Sequence, residues 1–246
     1  MSLGRYHTAI GYYNTAYHHG TWFQTATGRP FIFAFEDEGG ILPIHNVGIS
    51  ADGRIPSGRF GLSYIAEIGN GRASRTPLDP GVQNIIDENN GKAVNLALIS
   101  HPEFVPGLQA GFSVYRDRLN PDGLPKIGET IIAGHLVYKN RRWELLNEAL
   151  TIRHAPTGST APFHTFGFYT QVARRFGRYQ PYFRYQYLNA PAGDPILGEV
   201  GQKRGPSGGL RLDFSKFAAF KAQYDRTAKR SAKSVDGLTL KVAFTF

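Results

Sequence analysis

The sequence predicts an all-β fold, a single antiparallel transmembrane β-barrel of about twelve strands with short turns on one rim and long loops on the other. Three observations predict it. Segments of alternating apolar and polar residues recur along the chain, the pattern of strands with one greasy and one wet face. The connections between these segments alternate long and short. The polar rows carry charges that the dry core of a soluble sandwich would not tolerate unpaired.

Composition bounds the possibilities. The 246 residues suit one barrel, read as a single domain over 1–246. The absence of cysteine excludes a disulfide scaffold, a thiol nucleophile and a Cys-ligated metal. Mean hydropathy is −0.31, and no run approaches the roughly 18 apolar residues of a spanning helix. A helical inner-membrane protein is thereby excluded, whereas a barrel is not, because only alternate strand residues face lipid. No apolar targeting segment follows Met1-Ser2, so an exported protein would have its signal peptide missing from this chain. The net charge of +9 raises nucleic acid as a partner. Because the basic residues are scattered through the strands rather than clustered, no nucleic-acid partner is expected.

Leu3 to Ile10 reads as a short strand. The connection that follows, 11–43, is far longer than the ~15 residues beyond which a loop is functional or disordered. It is too aromatic for disorder (Tyr12, Tyr13, Tyr17), so it is expected to pack, with a helical turn near Asn14 to His19. Ile44 to Ala51 and Phe60 to Gly69 form the next strands, and 70–91 a second long loop. Hairpins then succeed one another: Ala93 to Ser100, Leu108 to about Asp117, Thr130 to Lys139, Trp143 to His154, Thr165 to Phe176, Tyr179 to Leu188, Gly209 to Phe217 and Ala218 to Thr227. Trp143 to Ile152 fits a helix about as well as a strand, and is read as a strand with a bulge. Long connections are expected near 119–128, 155–163, 190–207 and 229–236, short ones near 52–59, 101–107, 140–142, 177–179 and 216–218. In the last strand Leu238, Leu240, Val242, Phe244 and Phe246 make one apolar row, and Thr239, Lys241, Ala243 and Thr245 the other. A terminal aromatic on such a strand resembles the C-terminal signature of bacterial outer-membrane β-barrels.

With the apolar rows toward lipid, the interior receives Glu67, Asp117, Lys139, Arg175, Arg184, Arg211, Asp213, Lys221, Asp225 and Lys241 as pore-lining charges. Tyr179, Phe183, Tyr185, Tyr187, Phe166 and Phe168 suit an interfacial girdle. The basic surplus in the inner row predicts a mild anion preference. Glu36, Asp37 and Glu38 in the 11–43 connection are candidates for a constriction loop facing Arg184 and Arg211. The alternative is a flap on the outer rim.

No G-x-S-x-G, H-E-x-x-H or G-x-x-x-x-G-K pattern occurs. His18-His19 with Glu36, Asp37 and Glu38 could make a metal or acid–base site. Adjacent histidines point apart on an extended chain, however, so a packed or solvated loop is expected there, with no metal, cofactor or catalytic residue.

Gly4 to Thr8, Gly11 to Gly20 and Phe35 to Gly40 resemble segments of bacterial porins related to the phosphate-selective group. Members of that group are longer, with more strands ahead of Leu3, so the chain reads as a shortened barrel or part of a larger one. The resemblance implies passive diffusion of small hydrophilic solutes, often anions, through homotrimers among the lipids of a Gram-negative outer membrane. The arginine ladder and lysine cluster of the group do not map here, so phosphate selectivity is not inherited. The competing expectations are a soluble β-barrel or sandwich binding a small ligand, and an outer-membrane barrel enzyme.

Overall fold

The computed structural model describes residues 1–18, 20, 22–35, 38–72, 89–230 and 232–245. Twelve strands form one sheet in which every strand pairs antiparallel with its chain neighbour. They are β1 (Ser2–His7), β2 (His45–Arg54), β3 (Leu62–Gly69), β4 (Ala93–Ser100), β5 (Leu108–Leu119), β6 (Ile127–Lys139), β7 (Trp143–Pro156), β8 (Phe163–Arg174), β9 (Tyr179–Asn189), β10 (Gln202–Asp213), β11 (Ala218–Lys229) and β12 (Ala232–Phe244). The helix α1 spans Gly11–Tyr17, close to the helical turn expected there. From β5 on, every strand but β9 has 12–14 residues, more than the ~9–11 that cross a bilayer when tilted.

The sheet curls around the β1–β2 connection, and burial alternates most clearly along β4 and β7–β9. On β4, for example, Ala93, Asn95 and Ala97 are buried while Val94, Leu96 and Leu98 are exposed. The outer surface is a continuous apolar band that also includes Phe112, Leu136, Phe166, Val172 and Phe183. Its aromatics cluster on β8 and β9, where Phe168 stacks on Tyr187 at 5.8 Å. Among the described residues no ladder joins β1 to β12. Since an open edge cannot stand in hydrocarbon, β1 and β12 must meet each other or further strands in the membrane.

Three expectations need correction. First, β7 has no bulge, because its register runs unbroken from Trp143↔Arg174 to His154↔Phe163. The helical look of that segment came from an inner row that mixes Leu146, Leu150 and Ile152 with Glu144, Glu148 and His154. The irregularity lies instead between Thr227 and Lys229. Second, 229–236 is not a long loop, since Lys229 pairs Ala232 across a tight turn. Third, the last part of 190–207, from Gln202 on, is strand. Gly205, read as a loop signal, and Gly209, read as the start of the next strand, are both required by neighbours: a Cβ at Gly205 would lie 1.7 Å from the Arg226 carbonyl, and one at Gly209 would lie 2.4 Å from the Tyr182 ring. Phe246, counted in the final apolar row, lies outside the described residues.

The outward row makes a direct prediction. Leu96 pairs Ala66 and Val114 in mid-strand with its side chain turned away from the interior. Leu96→Arg should destabilise the barrel by about 2–4 kcal/mol if it lies at the bilayer midplane, whereas the same change at an exposed turn such as Phe104 should cost about 0–1 kcal/mol. Urea unfolding in lipid vesicles measures both.

Candidate functional site

The interior is organised by the 8–44 connection, which folds against the inner faces of β3 to β11. Its entry is held at Ala9, whose N–H donates to both Glu67 carboxylate oxygens at 3.2 and 3.1 Å, while Asn95 Nδ2 donates to the Ala9 carbonyl at 3.2 Å. Gly11 then turns the chain with φ +74°, and a Cβ there would sit 2.4 Å from Glu148 Oε2. That close approach lets Glu148 cap α1, accepting the N–H groups of Tyr12 at 2.6 Å and Tyr13 at 2.9 Å, together with the Tyr169 hydroxyl at 2.6 Å. The first turn of a helix has orphan donors, and here a wall carboxylate satisfies two of them.

The loop carries its own apolar core. Ile10, Tyr13, Tyr17, Ile32, Phe33, Ile41, Leu42 and Ile44 pack with wall residues Tyr115, Ile131, Val137, Leu146, Leu150, Tyr169 and Leu188. Tyr13 stacks on Phe33 at 5.3 Å. Burial pushes the Tyr13 phenol up to about 12, so it stays a neutral donor to Gln24 Oε1 at 2.8 Å. The inner surface is therefore apolar where β5–β8 meet the loop, and the expected rule of polar rows inward fails on β6 and β7.

On the other side the loop passes β9–β11 through a series of turns and bends, Trp22 to Gly28, and meets long polar side chains. Lys221, 0% exposed, donates to the carbonyls of Trp22 and Gln24. Arg211 donates to the carbonyls of Phe23 at 2.9 Å and Gln24 at 3.2 Å, and Arg184 to that of Gly28 at 3.0 Å. The N–H groups of Thr27 and Phe31 donate to Gln223 and Gln186. Such pairing is what a buried, non-repetitive backbone requires.

A second polar network lies under the 190–201 connection. His154 sits between two carboxylates, Nδ1 2.8 Å from Asp194 and Nε2 2.8 Å from Glu129, and Arg72 closes the chain on Glu129. Asp194 also accepts the N–H groups of Ile196 and Leu197 at 2.9 and 3.0 Å. Burial opposes its charge, but the hydrogen bond and charge of His154 with the two amides hold its carboxyl below the usual range. Both ring nitrogens of His154 are taken by carboxylates, so this histidine does not present one to a hydroxyl as a hydrolase triad would.

Of the other expected wall charges, Asp117 accepts from the Tyr115 hydroxyl at 2.9 Å and from Arg72 N at 3.2 Å. Lys139 binds the Tyr17 hydroxyl at 2.6 Å and Glu144 at 3.3 Å. Arg175 and Arg211 both bind Asp213, Asp225 accepts from Ser207 and Gln223, and Lys241 is half-buried opposite Lys221. Among the described residues, loop carbonyls meet Arg184 and Arg211, the arginines expected to face an acidic triplet. Glu36 and Asp37 lie outside the described residues, and Glu38 is exposed. Glu129, Glu144, Glu148 and His154 are buried inner-row groups that sequence reasoning missed. Parity counted from Lys139 across the tight turn would have placed Glu144 and Glu148 inward.

No family model matches the sequence, and no curated protein matches it. Solved structures do. The outer membrane channel DcaP of Acinetobacter baumannii superposes with a TM-score of 0.64 at 10% identity, over 99% of this chain and 71% of that one. A porin refined at 1.8 Å superposes with a TM-score of 0.52 at 14% identity, over 100% and 75% of the two chains. The fold is that of an outer-membrane porin barrel. At such identities the likeness is one of architecture, and the residue pattern above is this chain's own.

Removing the cap on α1 tests the insertion. Glu148→Ala orphans two buried backbone donors at about 1–3 kcal/mol each. It should make the α1 region cleavable by added protease in detergent-folded protein, while the heat-modifiable gel mobility of the barrel is kept.

Proposed function

We propose that the chain is a diffusion channel of the Gram-negative outer membrane, passing small hydrophilic solutes with a mild preference for anions. The observation that carries this reading is a membrane-facing apolar band around an interior of charged and amide side chains, into which a long loop is folded. Glu67, Asp117, Lys139, Arg175, Arg184, Arg211, Asp213, Lys221, Asp225 and Lys241 are its pore wall. The 8–44 loop, with Glu38 and the neighbouring Glu36 and Asp37, is its constriction. The resemblance of Gly4 to Thr8 and Gly11 to Gly20 to porins related to the phosphate-selective group supports the assignment, and assembly as a trimer belongs to the same reading. No catalytic group and no resident cofactor are part of it.

Selectivity turns on which charges a solute can reach. The carboxylates Glu129, Glu144 and Glu148 cancel the basic surplus counted from sequence, but all three are buried and already bonded. Lys139 and Arg175 keep side-chain exposures of 39% and 38%. They line a polar cavity of about 170 Å³ with Arg141, Arg142 and Arg211, against Glu144. A cationic mouth of that kind concentrates anions, and a low-dielectric wall sharpens the effect.

Two measurements in planar bilayers test the proposal. In a salt gradient the reversal potential should take the anion-selective sign and shift toward neutrality in Lys139→Gln/Arg175→Gln; clear cation selectivity of the parent would refute the assignment. Deleting Thr21 to Gly39 should raise single-channel conductance severalfold. Unchanged conductance in a folded deletion variant would mean that the loop does not constrict the path.

A further inference from the structure

Three histidines from three elements converge at the head of the first hairpin. His7 ends β1, His45 begins β2, and the two are cross-strand partners. His18 follows α1 directly. The ring centroids of His7 and His18 are 3.9 Å apart, those of His18 and His45 4.4 Å, and those of His7 and His45 5.4 Å. One ring nitrogen of each lies within 4.8 Å of the others, with His18 and His45 buried and His7 half-buried.

Asn14 arranges them. Its side chain, 1% exposed, donates through Nδ2 to the carbonyl of Thr8 at 2.8 Å and to that of Ile44 at 2.9 Å. Thr8 adjoins His7 and Ile44 adjoins His45, so one amide group ties both strand ends to the helix. The two donated bonds fix which end of the amide is oxygen, and Asn14 Oδ1 faces His18 Nδ1 at 3.3 Å. An acceptor there places the ring proton on Nδ1, which makes Nε2 the ring nitrogen able to ligate. That is how a protein orients a metal-binding imidazole, through a hydrogen bond from the nitrogen that does not ligate. Arg29 fixes the backbone of the same turn by donating to the carbonyls of His18 and Phe33.

We propose that His7, His18 and His45 bind one divalent transition-metal ion of the zinc class. Three imidazoles with a fourth position open to water form a familiar tetrahedral donor set. Zinc–nitrogen bonds of about 2.0–2.1 Å place tetrahedral donors about 3.3 Å apart. The ligating nitrogens, all within 4.8 Å of one another, therefore close by up to about 1.5 Å, while the His7 and His18 rings, 3.9 Å apart at their centroids, turn away from each other. Such a change is within reach of side-chain torsions. The site's position gives it a consequence: the ion would pin the inserted helix to the strand pair from which its loop departs. Sequence reasoning set metal binding aside because His18 and His19 are adjacent, whereas the partners of His18 lie 11 residues before it and 27 after.

The probe is cobalt(II), whose visible absorption reports tetrahedral nitrogen ligation, followed by displacement with zinc, on the full chain folded in detergent. The expected result is one equivalent bound, with the spectrum lost on adding zinc. His18→Gln or His45→Gln should weaken binding at least 100-fold, and Asn14→Ala, which keeps all three imidazoles, about 10–100-fold. Zinc should also raise the heat-modification temperature of the parent but not of His18→Gln. If a buried histidine variant fails to fold, His7→Gln, at the half-buried position, makes the same comparison. No tetrahedral spectrum at one equivalent, or a spectrum retained by the triple variant His7→Gln/His18→Gln/His45→Gln, would overturn the proposal. The test does not depend on whether the barrel conducts.

Discussion

The interior depends on one constraint: a long stretch of irregular backbone is buried inside a sheet, and each of its polar groups must find a partner there. The wall supplies them with side chains long enough to reach inward. Lys221, Arg211 and Arg184 take carbonyls, while Glu67, Glu148, Gln186 and Gln223 take amides. The charges that make the inner rows look like a water-filled lumen are therefore in large part the anchors of a loop. This explains how Lys221 can be fully buried next to the like-charged Arg211, because both end on backbone oxygen.

The same constraint divides the interior into two halves. Against β5–β8 the loop presents aromatic and aliphatic side chains, and the wall answers with Tyr115, Ile131, Leu146, Leu150 and Tyr169. Against β9–β11 it presents mainly backbone, answered by Arg, Lys and Gln, with Ala26 packed on Tyr182. Hydrophobic burial fixes one side of the loop and hydrogen bonding the other, so the loop's position is determined without a disulfide. The solvent-reachable remainder, where Lys139 and Arg175 stand exposed, is correspondingly confined.

Most of the architecture was legible in the sequence. Two-residue periodicity, tight turns such as Asn140 to Arg142 and the parity of rows on β3, β4, β5, β9 and β11 follow from local stereochemistry, since successive strand side chains must point to opposite faces. Where both rows were mixed, as on β7, the strand's own periodicity could not separate lipid from lumen, and only parity carried across the turn from Lys139 would have done so. The residues missed there, Glu144, Glu148 and His154, are those whose partners come from elsewhere in the chain. Gly205 misled for a related reason: locally it signals a loop, but in the sheet it makes room for the Arg226 backbone.

The sequence by itself determined the strand order, the outward apolar band and the presence of a long packed loop, because each is encoded in residues near one another along the chain. Only the tertiary structure decided where that loop lies, which inner charges are spent holding it, and that His7, His18 and His45 meet around Asn14. Those are facts of distance between segments tens to hundreds of residues apart. No local pattern carries them, since the sheet must first curl before Glu148 can reach the amide of Tyr13 or Lys221 the carbonyl of Gln24.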